Sequence, residues 1–151
     1  MLYFTPKGRT TDISLALDYL NKVTRRKTVS FVISDFFQSR EKNNNNLKKT
    51  LAIANKRHDL VAITLNDPRE IELSDCGLLQ LEDAETGEQT IIDSSDPGVR
   101  KEYDAAALKR INNRAAMFGS AGVDHIDVST DRPFIQEIVK FFLQRRRRRW
   151  L

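Results

Sequence analysis

The stretch Thr28-Val29-Ser30-Phe31-Val32-Ile33-Ser34-Asp35 reads as a β-strand that ends on a hydroxyl and a carboxylate. Its near-continuous run of apolar, mostly β-branched residues predicts a strand buried on both faces, and such strands belong to parallel sheets. The pattern returns at Asp59 to Leu65, with Leu60, Val61, Ala62, Ile63 and Leu65. Between the two, Ser39 to Asn46 is polar and reads as a loop, and Leu47, Leu51 and Ala54 then recur at helical spacing. Upstream, Thr10-Thr11-Asp12-Ile13 reads as a capped helix start, followed by Ile13, Ala16, Leu17 and Leu20 on one face. The order helix, strand, helix, strand with short connections implies right-handed crossovers and a parallel sheet covered by helices.

Downstream of Asp67-Pro68 the pattern changes. Leu78 to Leu81 and Gln89 to Ile92 flank Glu85-Thr86-Gly87-Glu88, which predicts an inserted β-hairpin. Pro97 opens a long helix as a first-turn proline, with Leu108, Ile111, Ala115 and Phe118 as its predicted buried stripe and Gly119 to Gly122 as its end. Val123 to Val128 is a third strand, made polar by Asp124, His125 and Asp127, and therefore an edge strand. A last helix from near Pro133 is predicted to bury Ile135, Ile138, Val139 and Phe142.

A chain of 151 residues suits one domain. Its net charge of +4 comes from the run Arg145 to Arg149, since the remainder holds 20 basic residues against 21 acidic ones. The chain divides accordingly into a body, 1–144, and a basic segment, 145–151. An arginine run binds nucleic acid or anionic surfaces, or simply ends a solvated helix; without a basic stripe interleaved with aromatics elsewhere, nucleic acid is the weaker expectation. No apolar run reaches the ~20 residues of a membrane span, no secretory signal is recognisable, and the cytoplasm is the expected compartment. Cys76 is the only cysteine, read as a small packing residue, and it forms no disulfide within the chain. His58, ending a helix, and His125, within a strand, have no serine or cysteine partner by spacing. Neither a nucleophile elbow nor a phosphate-binding glycine loop is present, so the chain is not expected to be an enzyme.

Open α/β sheets place ligands beyond the carboxyl ends of their strands. Ser34-Asp35, Asp67 and Ser129-Thr130-Asp131 fall there, and Thr11 is expected to project toward the same edge. A threonine hydroxyl with a carboxylate suits a hard divalent cation. Each residue also has a structural role available: Thr11 as a helix cap, Asp35 as a loop acceptor, Asp67 as a turn former before Pro68.

Thr11-Asp12-Ile13-Ser14 with Ala16-Leu17, then Phe31-Val32-Ile33-Ser34-Asp35-Phe36, resembles the domain of unknown function 58 family. Arg57-His58-Asp59-Leu60, Asp67-Pro68-Arg69-Glu70, Asp83 to Gly87, Gly122-Val123-Asp124 and Phe141 to Arg145 extend the likeness in order along the chain. The resemblance implies a three-layer, Rossmann-like von Willebrand A-like fold, and a non-enzymatic interaction module working with a MoxR-type AAA+ ATPase. It also implies a metal-ion-dependent adhesion site for magnesium, with Thr11 and Asp35 matching two of the ligands. The Asp-x-Ser-x-Ser loop that supplies the others has no counterpart here. The resemblance thus implies a truncated sheet, a weak or empty metal site, and loop-face contacts at Ser34, Asp67 and Asp131. It leaves the strand at 28–34 without a neighbour, an edge open to self-association or to cover by Leu2-Tyr3-Phe4. The rival expectations are surface binding through the arginine run and a metal-assisted hydrolase.

Overall fold

A computed structural model describes residues 11–37, 41–82 and 87–148, with backbone alone at 41–44 and 148. Its elements are α1 (Ile13–Val23), β1 (Val29–Ser34), α2 (Glu41–Arg57), β2 (Asp59–Asn66), α3 (Pro68–Ile71), β3 (Leu78–Glu82), β4 (Gln89–Asp93), α4 (Pro97–Ala121), β5 (Asp124–Ser129) and α5 (Ile135–Arg148). β1, β2 and β5 form a parallel sheet in the order β1-β2-β5. The mixed α/β architecture and the three parallel strands agree with the sequence, and polar β5 is indeed an edge. The predicted hairpin also forms, as a separate antiparallel pair of β3 and β4. Residues 83–86 of its turn, and Leu2 to Phe4, lie outside the described residues.

Two cores sandwich β2. On one face, Leu60 and Ala62 pack with Ile13 and Leu17 of α1, Leu47, Leu51 and Ala54 of α2, and Phe118 of α4. On the other, Val61 and Ile63 join Ile126 and Val128 of β5 beneath Ile138 and Phe141 of α5. Helix α5 thus packs over β2 and β5 and reaches β1 only through the edge-on contact of Phe142 with Phe31. Here the sequence reading needs correction, because β1 is not buried on both faces: Val29, Phe31 and Ile33 are 57%, 47% and 62% exposed.

Other differences have local causes. The asparagine run is helical, since α2 begins at Glu41. Asparagine disfavours a helix by less than ~0.7 kcal/mol per residue relative to alanine, a small term beside the burial of Leu47, Leu51 and Ala54. In α1 the buried face is Ile13, Ser14, Leu17 and Asn21, with Ala16 outside and Asp12 capping the amides of Ser14 and Leu15 at 2.9 and 3.2 Å. In α4 the inward line passes through Ala107, Phe118 and Ala121, leaving Leu108 and Ala115 exposed. The small Ala121 packs in the core beside Leu60 and Val123, while Ala107 is buried on the part of α4 where Tyr103 and Arg110 bond the Arg69 and Glu70 carbonyls of α3. In α5, Ile135, Val139 and Phe142 are exposed, because the Ile138–Phe141 side packs into the core and Phe142 meets only the Phe31 ring at its margin. Cys76 is exposed, and its amide donates to the Ser94 hydroxyl (2.9 Å) at the hairpin base.

Gly122 ends α4 in the left-handed region, at φ 67°. A Cβ there would meet only the Asn55 amide nitrogen at 3.7 Å, so the residue is needed for its backbone angle rather than for space. Gly122→Ala should lower unfolding stability by about 1–2 kcal/mol, read from the urea midpoint. Gly119→Ala, in the exposed helix interior with nothing within 4 Å, should instead raise it by roughly 0.5–1 kcal/mol. Equal effects at the two positions would contradict the left-handed cap.

Candidate functional site

Parallel strands joined by crossovers on their faces all end at the same edge, so the loops after β1, β2 and β5 gather there. After β1, the Ser34 hydroxyl donates to Asp35 Oδ1 (3.2 Å) and accepts the Phe36 amide (3.0 Å). Asp35 Oδ1 also accepts the Phe37 amide at 3.1 Å. Phe36 lies between with φ 53°, a left-handed conformation that is an outlier for a bulky residue. Such strain costs about 1–3 kcal/mol and persists only where neighbours enforce it. Here the Phe36 ring is buried and meets Phe118 edge-on, with centroids 5.0 Å apart.

After β2, Asp67 caps the short helix α3 by accepting the Arg69 amide at 2.9 Å. Its other oxygen accepts the hydroxyl of Thr130, from the loop after β5, at 3.1 Å. These two bonds, the Arg69 amide foremost, hold the Asp67 carboxyl below its usual 3.8. Ser129 donates to Asp131, which also lies 3.6 Å from the Arg132 guanidinium. Thr11 is exposed and precedes the capping Asp12; among the described residues no hydrogen bond joins it to Asp35.

Arg114 of α4 is the residue that sequence reasoning missed. Its side chain is only 14% exposed. One guanidinium nitrogen donates to the Asp35 carbonyl (2.8 Å), while the other donates to the Asn66 side chain and lies 3.6 Å from Asp127 Oδ1. One cation therefore ties all three strand ends to α4. Burial pushes Arg114 below the ordinary arginine range, while Asp127, Asp35 and Glu70 pull it back. Asp127 further accepts the hydroxyl of buried Thr64 and lies 3.7 Å from His125 Nε2. One turn earlier, Arg110 donates to the Glu70 carbonyl (3.2 Å) and stands over the Phe37 ring. The signal was available: Ala107, Ile111, Arg114, Phe118 and Ala121 run at spacings of four and three, with one charge inside an inward stripe.

This arrangement offers hydroxyls and carboxylates held by backbone amides, braced from behind by a partly buried cation. Among the described residues no group of three or more His, Cys, Asp or Glu side chains stands where it could hold a metal ion. The pair Thr11 and Asp35, with Asp35 Oδ1 already accepting two hydrogen bonds, does not fit a magnesium ion, which needs near-octahedral oxygen coordination.

A family model described as "Protein of unknown function DUF58" matches residues 1–113. The chain belongs to this family. Among relatives of this DUF58 chain, uncharacterized proteins of Mycobacterium tuberculosis and Mycobacterium bovis are each 34% identical over 142 residues, covering 94% of the chain and 43% of theirs. An uncharacterized protein of Mycobacterium avium is 35% identical over 145 residues, covering 94% of the chain and 80% of its own length. The chain thus spans under half the length of the first two. No solved structure matches it. Among the described residues no helix is long and apolar enough to cross a membrane.

Two outcomes follow from the edge geometry. Replacing Arg114 with Gln should cost roughly 0.5–1.5 kcal/mol by removing hydrogen bonds to partners that are themselves partly solvated, and should speed amide exchange at both Asp35–Phe37 and Asn66–Asp67. Exchange altered in only one of those loops would contradict the shared brace. Asp67 should titrate below 3.8 by carboxyl NMR, with Thr130→Val moving the midpoint upward. Because the folded value is the lower one, the stability linked to Asp67 is present above pH 3.8 and is lost as pH falls through the folded midpoint.

Proposed function

We propose that this chain is a non-enzymatic protein-interaction module of von Willebrand A-like fold, whose binding face is the carboxyl edge of the sheet. The observation that carries the reading is that three strand ends bring hydroxyl–carboxylate pairs to one edge, with Asp35 and Asp131 exposed and Asp67 partly so. Hydrogen bonds from neighbouring amides fix Asp35 and Asp67 in place, which lowers the entropy lost when a partner binds. Strain at Phe36 beside Asp35 is of the kind that concentrates at functional sites. The partner is a MoxR-type AAA+ ATPase, in keeping with the family resemblance, presenting basic or amide groups to this acidic face. Because Thr11 and Asp35 do not fit a held magnesium ion, contact runs through the side chains themselves.

The rival readings have less behind them. The arginine run is not wholly turned outward: Arg145 pairs with Asp59 and lies 3.3 Å from Asp124. A hydrolase would need further carboxylates converging on Asp35, and no such metal-holding group stands among the described residues. The deciding experiment is calorimetric titration of the chain with a MoxR-type ATPase, with and without magnesium. Combined Asp35→Ala, Asp67→Ala and Asp131→Ala should weaken binding about tenfold or more, the equivalent of 1.4 kcal/mol, equally in both buffers. Affinity untouched by the three substitutions would refute this face, and loss of binding on chelation alone would restore a metal-dependent one.

A further inference from the structure

We infer that the amino edge of the parallel sheet is a binding surface for the phosphate backbone of a nucleic-acid duplex, independent of base sequence. Strands β1, β2 and β5 begin at this edge and helices α1, α2, α4 and α5 end there, opposite the carboxyl edge described above. Asp59, the first residue of β2, lies at its centre. The Asp59 amide donates to the Thr28 carbonyl at 2.7 Å, which brings Arg25-Arg26-Lys27 alongside. Lys56 and Arg57 end α2 just before it. Arg145 of α5 pairs with the Asp59 carboxylate, so Arg146 and Arg147 follow at the same place. Thr28 Oγ1 and Nδ1 of buried His58 share a 3.1 Å hydrogen bond that holds the end of α2 to the entry of β1.

The residues that form this edge, 22–28, 56–59, 122–124 and 145–147, carry nine basic side chains and two acidic ones. Both carboxylates, Asp59 and Asp124, are engaged by Arg145, which is therefore spent inside the fold. The other eight cations are exposed, and among the described residues none of them pairs with a carboxylate. The arginine run supplies only two of the eight. Folding adds six more from α1, α2 and the loop before β1, so the patch exists in the structure and not in any one stretch of sequence.

The chemistry of the edge selects the occupant. Its segments hold no Phe, Tyr or Trp, and Val23 is their one exposed large apolar side chain. Single strands are held by stacking bases on aromatic rings, and a bilayer surface by apolar insertion beside the charges. Protein interfaces have apolar or aromatic centres in which lysine is depleted. A second copy could offer its residues 70–99, which hold nine acidic and no basic side chains. Yet Leu78 and Ile91 stand exposed within that stretch, and this edge has no apolar surface to cover them. A duplex needs cations alone, since it stacks its bases inside and presents one charge per about 1.7 Å of axis. Helices about 10 Å wide end on both faces of the sheet, so the cations straddle the edge and reach several phosphates at once. Lysine and arginine on phosphates position a duplex and carry no base readout.

The test is fluorescence anisotropy of the whole chain with a labelled DNA duplex across a salt series. Six or more phosphate contacts predict an affinity that falls about a thousandfold between roughly 50 and 200 mM salt, alike for unrelated duplex sequences. Combined Arg25→Gln, Arg26→Gln and Lys27→Gln should flatten the log–log salt slope by about 3, and Arg146→Gln with Arg147→Gln by about 2. All five side chains are exposed, so circular dichroism should report an intact fold in both variants. Combined Asp35→Ala, Asp67→Ala and Asp131→Ala should leave duplex binding at least as tight, which separates this surface from the carboxyl-edge face. Absence of binding at the lowest salt would overturn the inference, as would a slope unmoved by the 25–27 substitutions, which assigns binding to the arginine run alone. Tighter binding to single-stranded DNA, tighter binding to phosphatidylserine vesicles at equal phosphate, or self-association that excludes the duplex would overturn it too.

Discussion

The structure depends on β2 being buried on both faces and hydrogen-bonded along both sides. Its residues alternate between the two cores, Leu60 and Ala62 into one, Val61 and Ile63 into the other. At its end the buried Thr64 spends its hydroxyl on the Ile126 carbonyl and on Asp127, so no polar atom of that side chain is left unmatched. A strand that occupies the middle of a parallel sheet must be entered and left by crossovers on the sheet's faces. The three carboxyl ends are thereby obliged to share one edge. The candidate site is in that sense a consequence of topology before it is a matter of particular side chains.

How far this was legible in the sequence depends on whether the deciding partner was near in the chain. Pro97, Gly122, the hairpin and the polar edge strand announced themselves through local chemistry, as did the loops at Ser34-Asp35, Asp67 and Ser129 to Asp131. β1 and β2 looked alike because their compositions are alike. What separates them is the placement of α5, which no residue of β1 encodes. In α4 the error was to weight Leu108 above Ala107 for its size, when the inward face is the one that carries Ala107, Arg114 and Phe118. The asparagines of α2 have weak helix propensity, and the downstream Leu47 and Leu51 overrode it. Arg114 stayed hidden because its partners lie far off in sequence, 79 residues away at Asp35 and 48 at Asn66.

The strained Phe36 and the partly buried Arg114 belong together. A left-handed phenylalanine is disfavoured on its own, and its ring finds a place only against Phe118 of α4. One turn before Phe118 on that helix, Arg114 holds the carbonyl of Asp35 immediately ahead of the strained residue. Helix α4 therefore grips the loop at two points, one apolar and one charged. Arg114 also reaches Asn66 at the end of β2 and Asp127 within β5, so the same helix touches all three strands near this edge.

The opposite, amino edge explains why β1 stays uncovered. Arg145 reaches back from α5 to Asp59 and Asp124, the first residues of β2 and β5, and stands over the Phe141 ring. All three groups are partly sequestered from water, with side chains 22%, 18% and 34% exposed, so their attraction is screened less than that of a surface pair. A helix held at one end between two strands cannot slide sideways toward the third without giving up one carboxylate. Arg145 thus adds to the Ile138 and Phe141 contacts in placing α5 over β2 and β5. The exposed face of β1 follows from these ion pairs together with the apolar packing, and α5 reaches that face only where Phe142 meets Phe31.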